Sequence, residues 1–383
     1  MSTPDDVSKW LKGQLPQMEA ALEAMVLINS FTSNPEGGRK TAERVKQAFA
    51  IDGVSCETVK SEKFADHLVF STQGKGAPVA LIGHLDTVFP PGKFEGYRKD
   101  GDKRRGPGVL DMKSGLVAIA WAIRALAEAK QLSNVPPLRV VVVSDEEIGS
   151  PEGGPVIQRV CRGAQAALVF ESGRANDAIV TARKGVAYFD VTFLGKPAHA
   201  GNNHADGVNA LWACARFIDA AQKVTDYARG LTVNVGKVTG GQGKNTVPDS
   251  ALAELDVRFQ TKQDADAVQA ELKRLAEEAA QSVKGASVKF EGGVVRYPME
   301  RTELSVKLLE KYAACARAEG LAADEAPRVG GGSDACTTSA MGIPSIDALG
   351  PRGTGFHTPD EYIELSTLVP RAAALARLLL SLG

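Results

Sequence analysis

Carboxylates and imidazoles recur just past apolar runs in this 383-residue sequence. His84-Leu85-Asp86 follows APVALIG (77–83). The acids Asp145, Glu146 and Glu147 come one residue after Leu138-Arg139-Val140-Val141-Val142-Val143. Glu171 follows AALVF (166–170), Asp111 stands in RGPGVLDMKSG (105–115), and Gly355-Phe356-His357 brings a distant second imidazole. Imidazole nitrogen and carboxylate oxygen are the donors that zinc and related divalent ions take. An acid two residues past a histidine can accept its other ring N–H and fix the tautomer. Three adjacent carboxylates repel one another, and a pair of dications would offset that repulsion. Neighbours in extended chain point to opposite sides, so Glu146 and Glu147 should hold different tasks.

Taken singly, each motif has an ordinary explanation. H-x-D is often a surface turn, Asp111 sits where a helix N-cap is expected, and acidic loops after strands are usually solvated. The repetition at three strand ends argues for a site, because loops beyond the carboxyl ends of parallel strands are where α/β sheets carry chemistry. Val329-Gly330-Gly331-Gly332-Ser333-Asp334 lacks the G-x-G-x-x-G order of a dinucleotide loop, and tight turns near a ligand account for it better. His67 and His204 read as surface or packing histidines, and Met112 and Lys113 as structural. Arg183 and Lys184 fit a hinge or a substrate contact equally well.

Periodicity gives the helices and strands that hold these residues. The first half alternates helices (17–31, 39–51, 113–130) with continuous apolar strands (77–83, 138–143, 166–170). Such strands imply an α/β fold with a mainly parallel sheet covered by helices on both faces. From residue 185 the pattern becomes β-α-β-β-α-β, with strands at 186–195, 231–238, 251–259 and 286–295 and helices at 208–223 and 264–282. That order is the ferredoxin-like split unit. A helix over 302–319 and a closing helix from 366 return the α/β character. The expected organisation is one catalytic domain in two parts, 1–184 and 297–383, interrupted by an inserted α+β domain over 185–296.

Lys+Arg 45 against Asp+Glu 46 gives a net charge of −1. That balance favours neither nucleic acid nor an anionic membrane as a partner. No apolar run approaches the roughly 18 residues that span a bilayer. MSTPDDVSKWLKGQLPQ does not read as a secretory signal, so a cytoplasmic location is expected, a processed periplasmic protein being the alternative. The five cysteines are scattered and form no C-x-x-C pair, against a disulfide framework or a thiolate metal site.

The motifs GHLDTV, RGPGVLDMKSG, SDEEIGS, FESG, GKPAHAG, NTVP, LDVRF, GGGSDA and FHTPDEY, in that order, resemble the dinuclear zinc aminoacylase and glutamate carboxypeptidase family. That family includes acetylornithine deacetylase and succinyl-diaminopimelate desuccinylase. The nearest resemblance is to bacterial folate-hydrolysing glutamate carboxypeptidases. It implies a zinc-exopeptidase-like sheet with an inserted dimerisation domain, and two zinc ions, with cobalt or manganese as substitutes. His84 and Glu171 would hold one ion, Glu147 and His357 the other, and Asp111 both, with a cis peptide after it. Asp86 would orient His84, and Glu146 would be the general base that takes the proton of a water held between the ions. In the inserted domain, His199 would reach across a homodimer to polarise the scissile carbonyl, assisted by Asn245. Arg258 would grip the substrate α-carboxylate, with Gly331 in a loop touching the same group.

The implied reaction is hydrolysis of an amide bond to an amino acid with a free α-carboxylate, releasing C-terminal glutamate or a similar residue. The alternatives are an N-acyl amino-acid deacylase and a non-catalytic metal-dependent binding protein on the same fold. The presence of Glu146 disfavours the binder, which has no use for a base.

Overall fold

The computed structural model describes residues 3–383. Two compact units divide the chain: Met1–Ala182 with Arg301–Val329 and Ser333–Gly383, and Arg183–Glu300 with Gly330–Gly332. The first unit is built on a six-stranded sheet. Its order is Val54–Val59, His67–Thr72, Leu138–Val143, Val79–His84, Ala166–Val169, Ser345–Ile346. The last four strands run parallel to one another, and the first two are antiparallel additions at one edge.

The parallel strands are buried along nearly their whole length, as their Val, Ile and Leu content dictates. Helices Ser114–Glu128 and Leu368–Ser381 share the principal core with them. The start of the first of these helices approaches the sheet so closely that a Cβ on Gly115 would lie 2.1 Å from the Phe170 carbonyl oxygen. This contact seats the turn after Asp111 against the strand end that carries Glu171.

A second, small sheet in this unit is antiparallel, in the order Gly353–Thr354, Tyr362–Glu364, Lys103–Arg105, Arg98–Asp100. It joins the chain before Asp111 to the chain around His357. The segment Val109–Lys113 is irregular, with non-helical backbone at Asp111 and Met112 and a cis peptide between them.

The second unit is a four-stranded antiparallel sheet in the order Ser287–Arg296, Gly185–Leu194, Ser250–Phe259, Thr232–Gly240. Helices Ala210–Gln222 and Lys262–Gln281 close its core, packing on Phe189, Val191, Phe193, Leu255, Val257 and Phe259. Alternating burial along Gly185–Leu194 leaves Tyr188, Asp190 and Leu194 on the open face. The element order is the β-α-β-β-α-β expected from the sequence.

Several elements escape a reading by periodicity. Val54–Val59 is an edge strand of exposed and half-buried residues, and His67–Thr72 is buried without alternation. Helix Pro4–Gly13 owes its start to a Thr3 capping box and buries only Val7, Ser8 and Leu11. Among the described residues, no helix is long and apolar enough to cross a membrane.

Candidate metal centre

Three strand ends and two turns of the first unit bring His84, Asp111, Glu147, Glu171 and His357 together. His84 closes its strand and is 1% exposed. Its Nδ1 lies 3.0 Å from the backbone carbonyl of Asp86 and 3.4 Å from the Asp86 carboxylate. Both are acceptors, so Nδ1 carries a ring proton and Nε2 is the nitrogen that faces a metal once its own proton leaves. That Nε2 lies 3.2 Å from Asp111 Oδ1 and 3.6 Å from Glu171 Oε1. On the other side, His357 Nε2 lies 3.4 Å from Asp111 Oδ2 and 3.1 Å from Glu147 Oε2.

Asp111 therefore turns one oxygen to each imidazole, the arrangement of a carboxylate shared by two cations. Donor atoms of His84, Asp111 and Glu147 lie within 4.8 Å of one another, as do those of His84, Glu146 and Glu171. Two histidines and a majority of carboxylates fit hard or borderline divalent ions such as zinc.

Electrostatics agree with that donor set. Burial pushes the Glu147 carboxyl up to about 7 and that of Glu171 up to about 8, and the charge of Asp111 adds to both. Hydrogen bonds with Asp111 and Glu147 raise His357 to about 10. Burial opposes a charge on His84, yet Glu171, Asp111 and Asp86 carry it well above the usual imidazole range. Burial also opposes ionisation of Asp111, but the two imidazoles hold it far below an ordinary carboxyl. Protons thus neutralise this cluster of acids, a task that bound dications take over.

Asp86 does more than face His84. Its carboxylate accepts hydrogen bonds from Thr32 Oγ1 at 2.7 Å, the Glu146 amide at 3.2 Å and the Glu147 amide at 3.3 Å. One buried acid thereby fixes the turn that carries both glutamates. Asp145 points the other way and accepts the amides of Glu152 and Gly153, at the start of helix Gly153–Cys161. The three consecutive acids divide their work by direction.

Sequence reasoning assigned no task to Glu361, which is 0% exposed. Its carboxylate accepts the amides of Gly108 at 3.2 Å, Leu110 at 2.8 Å and Asp111 at 3.0 Å. Burial pushes it up to about 8, opposed by these three donors. Its place four residues past His357 carries no signal of this task, because its partners are backbone amides. Lys113 is fully buried, its amine donating to the carbonyls of Ile28 and Pro107, and burial pushes it down to about 7. His67 is buried and accepts the Ser144 amide at Nδ1, a packing arrangement.

The remaining candidates belong to the second unit. His199 is exposed, and its Nδ1 accepts amides from Gly201 and Asn202, both at 3.1 Å. Its proton is therefore on Nε2, the nitrogen left to face a ligand. The Asn245 carbonyl accepts the Ala200 amide, which brings the two loops side by side. Arg258 makes a bidentate pair with Asp256, both contacts at 2.7 Å. The Gly331 carbonyl accepts a hydrogen bond from Arg183 at 3.1 Å.

Comparison with known proteins gives a consistent result. Residues 80–381 match peptidase family M20/M25/M40. Carboxypeptidase G2 of a Pseudomonas species is 31% identical over 376 residues, covering 96% of this chain and 90% of that protein. Acetylornithine deacetylase of Myxococcus xanthus is 26% identical, covering 95% and 97%. Among solved structures, aminopeptidase PepT of Bacillus cereus shares the fold with a TM-score of 0.79 at 22% identity, covering 96% of this chain and 98% of that one.

Proposed function

This chain belongs to peptidase family M20/M25/M40, and from that premise we propose that it is a glutamate carboxypeptidase-like hydrolase with two zinc ions. It cleaves an amide bond to an amino acid with a free α-carboxylate. The observation that carries the reading is Asp111 standing between His84 and His357, each imidazole having its own glutamate, Glu171 or Glu147. His84 and Glu171 would hold one ion and His357 and Glu147 the other, with Asp111 common to both. Bound there, divalent cations supply Lewis-acid polarisation of the scissile carbonyl and lower the pKa of a nucleophilic water.

The chain's own residues do the rest. Asp86 holds the amides of Glu146 and Glu147, so base and ligand keep a fixed relation. Glu146 takes the proton of the attacking water and delivers it to the leaving nitrogen. His199, supplied by a second copy of the chain in a homodimer built on the 185–296 domain, donates Nε2–H to the developing oxyanion, with Asn245 beside it. Arg258 binds the substrate α-carboxylate through its fork of donors, an exchange in which the substrate takes the place of Asp256. Gly331 lies in the loop assigned to the same carboxylate.

A second reading, N-acyl amino-acid deacylase, is supported by the near full-length similarity to acetylornithine deacetylase. Both reactions share the carboxylate grip and differ on the acyl side. The deciding experiment is a panel of folate-like N-acyl glutamates, dipeptides, and acetylated or succinylated amino acids with zinc-loaded protein. The carboxypeptidase reading expects the highest kcat/KM on substrates ending in glutamate. Preference for a short acyl group on a basic amino acid would replace it with the deacylase reading.

A further inference from the structure

The five ligand side chains are not held with equal firmness. His84 is sealed at the end of a central strand, whereas the His357 side chain is 48% exposed. His357 also sits on a loop, with its backbone in the left-handed region at φ 63°. For a residue with a Cβ this conformation persists only where surrounding contacts enforce it.

Those contacts form a short chain that ends on Glu361. Thr358 donates its amide and its hydroxyl to the Gly355 carbonyl, and Glu361 donates its amide to the Thr358 carbonyl. Gly355 is at φ 83°, and a Cβ there would lie 2.7 Å from the Asp360 carbonyl oxygen, so the turn closes only on glycine. Arg105 binds the Asp360 carbonyl at 3.1 Å from outside the loop. The loop is thus a compact block, and the Glu361 carboxylate attaches it to the turn Gly108–Asp111. That turn carries the carboxylate shared by both imidazoles.

We propose that Glu361 is a positioning residue that sets the spacing between His357 and Asp111, and with it the cation position formed by His357, Glu147 and Asp111 Oδ2. The proposal rests on the dinuclear reading above. The position formed by His84, Glu171 and Asp111 Oδ1 takes its other ligands from strand ends and depends on Glu361 only through Asp111. All three groups that reach Glu361 are N–H donors, so the site calls for two acceptor oxygens. Oε1 takes Leu110 and Asp111, and Oε2 takes Gly108. A glutamine amide nitrogen in place of Oε2 would confront the Gly108 N–H, donor against donor.

The test is zinc titration of metal-free wild-type protein, Glu361→Gln, His357→Ala and the double variant, read by calorimetry and by metal analysis after desalting. The wild type should take two equivalents. Glu361→Gln should weaken one equivalent by roughly tenfold or more, the scale of losing a group that orients a metal ligand, and leave the other within threefold. His357→Ala should weaken the same equivalent, and the double variant should show no further loss in the equivalent that remains. Arg105→Ala, which loosens the loop from its exposed side, should give a smaller loss in that same equivalent and serves if Glu361→Gln does not fold. Equal weakening of both equivalents, or two unchanged equivalents in Glu361→Gln, overturns the positioning role. Fewer than two equivalents in the wild type overturns the dinuclear reading instead.

Discussion

Asp86→Asn tests how the acidic turn is held, and its cost can be worked from the hydrogen bonds. Oδ1 of Asp86 faces two donors, the Glu146 amide and His84 Nδ1. Oδ2 faces the Thr32 hydroxyl and the Glu147 amide. An asparagine nitrogen placed at Oδ1 would oppose two donors, so the amide adopts the other orientation. There the Thr32 hydroxyl can turn to accept, and one hydrogen bond is lost, that of Glu147. A hydrogen bond to a charged acceptor contributes about 1.5–3 kcal/mol. The lower end is expected, because removing a charge also relieves repulsion from neighbouring acids. The lost contact belongs to a ligand, so metal affinity should fall roughly 10- to 100-fold. Denaturant unfolding of metal-free protein measures the first quantity, and competition with a chromophoric chelator measures the second. Metal affinity within twofold of wild type would refute the coupling of Asp86 to the ligand turn.

Glu146→Gln should keep both metals while turnover falls roughly 10²–10⁴-fold, the scale of one acid–base group; metal analysis beside a rate assay checks this, and surviving turnover removes Glu146 from the mechanism. Chelation should abolish hydrolysis, and zinc or cobalt should restore it; a fully active metal-free protein would exclude the metal reading. Metal-free protein should lose stability as pH rises from about 5 to 8, above which the Lys113 amine, held down to about 7, opposes the trend. Glu147 at about 7 and Glu171 at about 8 bind more protons folded than unfolded, and His357 at about 10 does the same above the ordinary imidazole value, so all three act in one direction. Saturating zinc should weaken or reverse that slope, since metal binds the deprotonated ligands; melting temperatures across pH with and without zinc decide it. His199→Ala should cripple turnover and retain metal, and mixing it with Glu146→Gln should restore part of the activity through shared sites. No recovery after subunit exchange would count against a histidine supplied by a second copy.

Much of the first unit is legible because continuous apolar runs such as Leu138–Val143 leave little choice but buried parallel strands. The gathering of His84, Glu147 and Glu171 follows, since each lies at or just past a parallel strand's carboxyl end. The helix and strand order of the second unit is visible for a similar reason, period 2 and period 3.6 alternating cleanly. Interactions through the backbone leave no such trace. Glu361 holds Asp111 by amides that every residue possesses, so no side-chain pattern announces it. The same is true of Asp86 and the turn at Glu146. The pair of Arg258 with Asp256 is two residues apart on one strand face, a spacing too common to be informative alone. Strand His67–Thr72 exists because Leu138–Val143 offers it a ladder, and Val54–Val59 pairs in turn on His67–Thr72, which is information from elsewhere in the chain.

The ligands also have an order in time. Synthesis runs from residue 84 to residue 357, and His84, Asp111 and Glu171 all precede the 185–296 segment, whereas His357 and Glu361 follow it. A growing chain has all three residues proposed for one cation once residue 171 has been made. The set for the other cannot close until more than a hundred further residues have been made. The short strand Ser345–Ile346, just before His357 in the chain, pairs beside Ala166–Val169. The two proposed positions therefore differ in the order in which their residues are made, and the later one is the one whose spacing we assign to Glu361.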